Sequence, residues 1–559
     1  MFTAALLLSF ALGANPVPDL TTAEIAQVDA LFEAWDQPDS PGCALAIVKG
    51  GEVVYARGYG SANLEHEAPI TADTVFRIAS TSKQFAAACI HLLAQDDVLT
   101  LDDDVRAWIP ELTCSKGPVS LRQLLHHTGG LRSYLTLMSL AGNADDGYYT
   151  EEEVLAMLAR QRGVQFAPGD RYEYSNTGFF LLSIVVERAS GMRMREYADE
   201  HLFKPLGMTR THFHDDYREV VPGRAMGYSR DLDGFELSMT QLEMCGDGGL
   251  FTTVNDLTKW MANFRDPQVG GKEWLEALQK PGVLNSGEVL DYASGLVVAE
   301  WKESPQIFHG GAFVGFRAEM LHLPELGFGV VCLANVSEVQ PTALCEGIRD
   351  LLLGAEPEEE AETDDDEEEQ EENEAAPVLP AALKVWEGVW LEQGSDKPRV
   401  IHVKARRGSL LLRGSGAGQR FLPSSESAFF NRTYGSRIEF ERRGDLRTQL
   451  RLLIPSEEKA RLFERVEAFD PGLEELKSYA GDYWCDELAV SYRISLDEEG
   501  LVLKVRGMEE GGLKAVRPFR FQGPYQSTYW FKLGKQASPG IGGFWLDVAG
   551  VNGLWFERR

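Results

Sequence analysis

Ala79-Ser80-Thr81-Ser82-Lys83-Gln84-Phe85-Ala86-Ala87-Ala88-Cys89-Ile90 joins a hydroxyl and an amine to an apolar run that reads as a buried helix. Three residues apart on a helix is nearly one turn, so Ser80 and Lys83 share a face. A serine at a helix start meets unpaired backbone N–H groups and a positive dipole end, which suits a nucleophile whose attack creates an oxyanion. Alone the pattern says little: Ser456-Glu457-Glu458-Lys459 also fits Ser-x-x-Lys, in a charged stretch that reads as a surface turn.

Around this stretch the order of elements predicts an α+β domain. Thr21 to Asp36 has the apolar spacing of an amphipathic helix, with Thr21 or Thr22 and Glu24 as its cap. Cys43 to Ala56 reads as a hairpin turning at Lys49-Gly50-Gly51. The region from Arg132 to Gln165 is helical in pattern, and Phe179 to Val186 is a buried helix. From Gln306 the period becomes that of strands. One runs to Phe316 with a glycine break at 310–311, and Arg317–Leu323 and Phe328–Ala334 follow. Thr342 to Leu353 closes the domain as a helix. Strands at both ends with helices between imply one sheet on which the terminal helices pack.

At 559 residues the chain exceeds one ordinary domain. Glu356 to Glu374 holds 14 acidic residues and no basic or aromatic one, so it reads as a solvated linker. Beyond it the sequence repeats at an offset of 93. Val385-Trp386-Glu387-Gly388-Val389-Trp390 matches Ser478-Tyr479-Ala480-Gly481-Asp482-Tyr483, and Leu462-Phe463-Glu464-Arg465 matches Trp555-Phe556-Glu557-Arg558. Each unit alternates short apolar runs with turns, which predicts two small antiparallel β-barrels. The expected division is 1–14 an export signal, 15–354 the first domain, 355–378 the linker, 379–469 barrel 1 and 470–559 barrel 2. The export expectation rests on an apolar run ending in Ala11-x-Gly13, and it places the protein in the periplasm or outside the cell.

A net charge of −32 argues against a nucleic-acid partner. No apolar run reaches the length of a transmembrane helix. The seven cysteines form no C-x-x-C pair, so neither a zinc site nor a disulfide framework is expected, and no metal or cofactor is called for. Oligomeric state is not legible.

Three motifs fall in order on the first domain. Ser80-x-x-Lys83 begins a helix. Tyr174-Ser175-Asn176 follows the Pro168-Gly169 turn and precedes a buried helix. His309-Gly310-Gly311 lies on a strand. In this order they resemble the serine β-lactamase and penicillin-binding-protein superfamily, nearest its class C β-lactamase, DD-peptidase, D-aminopeptidase and esterase branch. Leu125-His126-His127-Thr128-Gly129-Gly130-Leu131, Pro205-Leu206-Gly207-Met208 and Gly248-Gly249-Leu250 add to the likeness, and two barrels after the hydrolase domain resemble the D-aminopeptidase layout.

The resemblance implies a serine hydrolase that forms an acyl-enzyme on a small peptide or ester, with cell-wall-derived peptides the first substrate class. Ser80 would be the nucleophile, with Lys83 and Tyr174 moving its proton. Asn176 would bond Lys83 and substrate. The backbone N–H groups of Ser80 and Ala312 would form the oxyanion hole, while Gly310 and Gly311 would let substrate lie against the strand. His309 stands where penicillin-hydrolysing members carry lysine. As a weaker cation it would hold a substrate carboxylate less firmly, or polarise Tyr174. A peptidase is therefore expected ahead of a carboxylesterase or weak β-lactamase; the reading of another class is an inactive cell-wall-peptide binder. Asp170, Glu173, Asp247 and Asp256 read as turn or cap residues, and His126 and His127 as packing a helix end. If a barrel reaches the cleft, Ser538 to Gly543 is the stretch expected to do so.

Overall fold

Strand Cys43–Lys49 is buried along nearly its whole length, because both faces of its sheet are covered. Ala44, Ala46 and Val48 feed one core, and Cys43, Leu45 and Ile47 feed the other. A period of two sends neighbouring side chains to opposite faces, so a strand covered on both sides reads as a continuous apolar run. The antiparallel sheet has six strands in the order Val297–Trp301, Ser304–Phe313, Phe316–Leu323, Phe328–Ala334, Cys43–Lys49, Glu52–Tyr59. Helices Thr22–Ala30 and Pro341–Leu353 lie on the second core. The first core holds helices Lys83–Gln95 and Asn176–Ser190, which pack on each other.

The computed structural model describes residues 19–559 except 114–116, 144–146, 232–233, 355–379, 394–399, 407, 414–418, 432–435, 444–445, 455–458, 467–470, 499, 506–510, 524–526 and 534–539. The export-signal and acidic-linker readings therefore lie outside the described residues, as do most of the second Ser-x-x-Lys and Cys114. The six other cysteines are free and buried. Among the described residues no helix is long and apolar enough to cross a membrane.

Three local expectations are corrected. The first helix has the expected capping box between Thr21 and Glu24 but stops at Ala30. The chain then turns so that Phe32 stacks on Tyr59, with centroids 4.4 Å apart. Among the described residues of 132–165, only Tyr134–Leu140 and Glu151–Ala159 are helical. Arg132, Ser133, Gln161, Arg162 and Gln165 instead bond to the second barrel. Strand Ser304–Phe313 runs through Gly310-Gly311 without a break, pairing Gly310 with Glu319 and Gly311 with Ala318.

The C-terminal half forms two closed eight-stranded antiparallel barrels, the first from Gly388–Glu392 to Arg461–Val466, the second from Gly481–Cys485 to Val551–Arg558. The 93-residue repeat is structural as well as textual. Arg465 bonds the Glu387 carbonyl in barrel 1 as Arg558 bonds the Ala480 carbonyl in barrel 2. Barrel 2 is joined to the first domain: Leu554 and Phe556 belong to the same hydrophobic cluster as Phe85 and Leu125. Between them lies a buried ion pair, Arg132 to Glu487 at 2.8 Å, with side chains only 3% and 8% exposed. Arg132 also donates to Gln161 and to the carbonyls of Asn552 and Gly553. Of the stretch Ser538–Gly543, residues 541–543 begin strand Ile541–Val548, and another part of barrel 2 touches the first domain. The hairpin turn Ala549-Gly550 accepts from Thr136 Oγ1 and from the Ser133 backbone N–H, at the start of helix Tyr134–Leu140. Residues 538–539 lie outside the described residues.

Candidate active site

Ser80 sits in a 3-10 turn, Ala79–Ser82, that runs directly into helix Lys83–Gln95. Ala79 before it takes φ +46°, a conformation that costs a non-glycine residue on the order of 1–3 kcal/mol. The surroundings hold it there: Ser82 Oγ donates to the Ala79 carbonyl and accepts from the Leu250 N–H, while the Ile78 N–H donates to the Leu250 carbonyl. The turn is thereby tied to the strand Leu250–Thr252, and Ser80 opens onto a small pocket of ≈ 40 Å³.

Lys83 is fully buried and donates three hydrogen bonds, to Ser80 Oγ at 3.1 Å, Asn176 Oδ1 at 2.7 Å and the Asp247 carbonyl at 2.6 Å. Burial disfavours the ammonium and brings Lys83 down to about 7, against the pull of the Asp247 charge in the other direction. Its Nζ lies 4.9 Å from the centre of the Tyr174 ring. Burial pushes the Tyr174 phenol well above its ordinary range, with Ser80 beside it opposing, although 41% of the residue is exposed along the cleft. Sequence motifs 93 residues apart thus meet: Ser80, Lys83, Tyr174 and Asn176 form one connected group.

His309 differs from its sequence expectation. Its Nδ1 donates to the Gly310 carbonyl at 2.6 Å, so Nε2 is left to accept from the Tyr292 hydroxyl at 2.9 Å. Burial, with Lys83 nearby, lowers it to about 4. It is neutral near pH 7 and brings no positive charge to the cleft. It also does not polarise Tyr174 directly, since the ring centroids are 6.5 Å apart and Tyr292 takes its hydrogen bond.

The two glycines also clear space for something other than substrate. A Cβ on Gly311 would fall 2.1 Å from the Ile78 carbonyl oxygen, and one on Gly310 would fall 3.0 Å from Glu319 Oε2. Gly311 therefore lets the strand lie against the turn that carries Ser80, a contact completed by Thr81 Oγ1 donating to the His309 carbonyl at 3.2 Å. Gly311→Ala is expected to force these two backbones apart, costing about 1–3 kcal/mol of stability and most of the acylation rate. Gly310→Ala, which meets only a side-chain end, is expected to retain most of both. Thermal unfolding and single-turnover acylation on the two variants check the contrast. Ala312 lines the pocket together with Ser80.

Sequence reasoning missed four neighbours. Asp247 sits in the expected turn but is more than a turn residue: it is buried, its Oδ2 accepts from Tyr134 Oη at 2.8 Å, and it lines the pocket. Its carboxyl is pushed up by burial, with Lys83, Tyr134 and Arg77 opposing. Arg77, also buried, is spent on the carbonyls of Gly248 and Leu242. His127 packs its ring 4.2 Å from Tyr174 and 4.6 Å from Tyr292, while its Nδ1 accepts from the Ser175 N–H. The only signal for Asp247 was a carboxylate in Gly246-Asp247-Gly248-Gly249, a setting shared with ordinary turns.

Among the described residues His212, His214 and Glu219 bring three donor atoms within 4.8 Å. Glu219 is held by both terminal nitrogens of Arg195, and Arg224 opposes further positive charge at His214. These residues stand apart from the Ser80 pocket and do not form a prepared metal centre.

The match to known families follows this geometry. Residues 28–352 match the Beta-lactamase family. The chain belongs to the beta-lactamase family. By that membership it is a serine hydrolase in class. It is 30% identical to a D-aminopeptidase of Gluconobacter oxydans (strain 621H) over 296 residues, 53% of this chain and 56% of that one. It is 26% identical to Penicillin-binding protein 4* of Bacillus subtilis (strain 168) over 433 residues, 74% of this chain and 93% of that one. Among solved structures, the octameric penicillin-binding protein homologue from Pyrococcus abyssi has a TM-score of 0.55 at 26% identity, covering 79% of this chain and 100% of its own. This beta-lactamase family chain spans little more than half the length of that D-aminopeptidase.

Proposed function

We propose that this protein is a serine peptidase of the D-aminopeptidase type, cleaving a small peptide through an acyl-enzyme on Ser80. The observation that carries the reading is the buried Lys83 amine, 3.1 Å from Ser80 Oγ and brought down to about 7. A neutral amine there accepts the serine proton as Oγ attacks the carbonyl carbon. Tyr174, whose ring centre lies 4.9 Å from Lys83 Nζ, passes a proton on to the leaving amine. The backbone N–H groups of Ser80 and Ala312 receive the oxyanion. Asn176 holds Lys83 in place. Water then attacks the acyl carbon by the same route in reverse.

The neutral His309 supports a peptidase over a β-lactamase, since a fixed cation for a substrate carboxylate is missing at that position. The D-aminopeptidase similarity supports the same choice. Export completes the reading: the apolar run before Gly13 would be removed, leaving a domain over 15–354, a spacer over 355–378 and barrels over 379–469 and 470–559 to meet peptides outside the cytoplasm.

A substrate panel with a Ser80→Ala control tests this. D-alanine p-nitroanilide should be turned over faster than its L-isomer, than N-acetyl-D-alanine p-nitroanilide and than nitrocefin. Faster turnover of p-nitrophenyl butyrate than of any amide would make the protein a carboxylesterase. Failure of a fluorophosphonate to label the wild type, with no turnover, would leave only a peptide-binding role.

A further inference from the structure

We propose that the cleft between the hydrolase domain and barrel 2 binds a saccharide that carries carboxylate groups. Neighbouring strands of barrel 2 place Trp545 directly opposite Trp555, with ring centroids 5.0 Å apart and planes at 52°. Both indoles are half-buried, so each keeps an open face. Gly543 is part of the arrangement, because a Cβ there would lie 2.3 Å from the Phe556 carbonyl oxygen and 2.5 Å from the Trp555 ring. Arg132 and Arg162 of the hydrolase domain face the pair, across a cleft of ≈ 520 Å³. That exceeds the pocket beside Ser80 and lies within the range of small-molecule sites.

The charges define the ligand. Arg132 and Glu487 neutralise each other at 2.8 Å, and Arg162 pairs with Asp486 at 3.1 Å. Lys532, 5.9 Å from the Trp545 ring centre, is ion-paired to no carboxylate among the described residues. The cleft thus carries one uncompensated positive charge on a chain of net charge −32. Lysine beside the rings disfavours a cationic ligand, which aromatic faces would otherwise attract. An apolar side chain would call for a dry, enclosed pocket, and this cleft is open with charged walls. A pyranose meets both conditions: its C–H face packs on an indole while its hydroxyls face water and charged groups. A carboxylate on the sugar would then reach Lys532. The place is also suggestive. Arg132 lines this cleft, and two residues on Tyr134 lines the Ser80 pocket, so a sugar held here would lie beside the hydrolytic site. The binding itself is independent of the peptidase reading.

The test uses the full chain with Ser80→Ala, so that nothing is consumed. It is titrated by calorimetry and tryptophan fluorescence with a tetrasaccharide alternating N-acetylglucosamine and N-acetylmuramic acid, and with neutral chitotetraose. The carboxylated chain should bind at least tenfold more tightly. Lys532→Gln, an exposed change, should erase that preference. Trp545→Ala should weaken both ligands at least tenfold, and Trp555→Phe, which keeps a ring and spares the fold, should retain most of the affinity. Absence of binding by either saccharide overturns the proposal, as does undiminished binding by Trp545→Ala. Equal affinity for the two saccharides overturns the carboxylate assignment.

Discussion

Lys83→Met is expected to lower kcat by about 10²–10⁴-fold, the usual contribution of a positioned general base. Methionine fills much the same space but cannot take the Ser80 proton. The wild-type profile carries the same signature. With Lys83 brought down to about 7, the neutral amine is the working form in the proposed mechanism. Activity should therefore rise with pH, pass half-maximum near pH 7, and fall about tenfold per unit below that. Tyr174 is pushed above its ordinary range, so it stays protonated and adds no descending limb near neutrality. His309 is lowered to about 4 and stays neutral across the rise, so His309→Gln should leave the midpoint near 7 even if the rate falls. Rate–pH profiles of the three proteins decide the matter. A midpoint that moves with His309→Gln, or a Lys83→Met enzyme at near-wild-type rate, would remove Lys83 from the base role.

Glu487→Ala should destabilise the junction of hydrolase domain and barrel 2 by about 3–5 kcal/mol. Removing one partner of a buried ion pair leaves the other charged and unpaired, which is why the loss exceeds the worth of the pair itself. Arg132 would keep Gln161 and two backbone carbonyls, but no carboxylate. The backbone N–H of Arg162, which donates to Glu487 Oε2 at 2.7 Å, would also lose its acceptor. Because the chain has several domains, a single unfolding free energy is ill-defined. Limited proteolysis and differential scanning calorimetry are the suitable measurements, with barrel 2 expected to melt as a separate transition. Arg132→Met with Glu487→Leu should regain part of the loss. A Glu487→Ala protein that unfolds as the wild type does would show the pair to be incidental.

What could be read in the sequence was what is local. The helix after Ser80, the hairpin at Gly50-Gly51, the alternation in both barrels and the 93-residue repeat all depend on neighbours a few residues apart or on self-similarity. The site was legible where its residues fall in motifs: Ser80 and Lys83 three apart, Tyr174 and Asn176 two apart. The remainder depends on pairs that no periodicity connects. Tyr134 and Asp247 are 113 residues apart, and Arg132 and Glu487 are 355 apart. His309 shows a different difficulty. A histidine beside two glycines states its identity but not its charge, which burial and the Tyr292 hydroxyl decide. The glycines likewise announced a close approach without naming what approaches, and it proved to be the Ile78 carbonyl.

The bond from Arg132 to the Asn552 carbonyl spans 420 residues of chain. During synthesis, at about 5–20 residues per second, roughly 20–80 s separate the emergence of its two ends. Throughout that interval the surface of helix Tyr134–Leu140 that Gly550 and Tyr492 later cover stays open to water and to chaperones. The hairpin that covers it is also the one that abuts the wall of the Ser80 pocket. Helix Tyr134–Leu140, which lines the Ser80 pocket through Tyr134 and Leu135, therefore gains its barrel 2 contacts last.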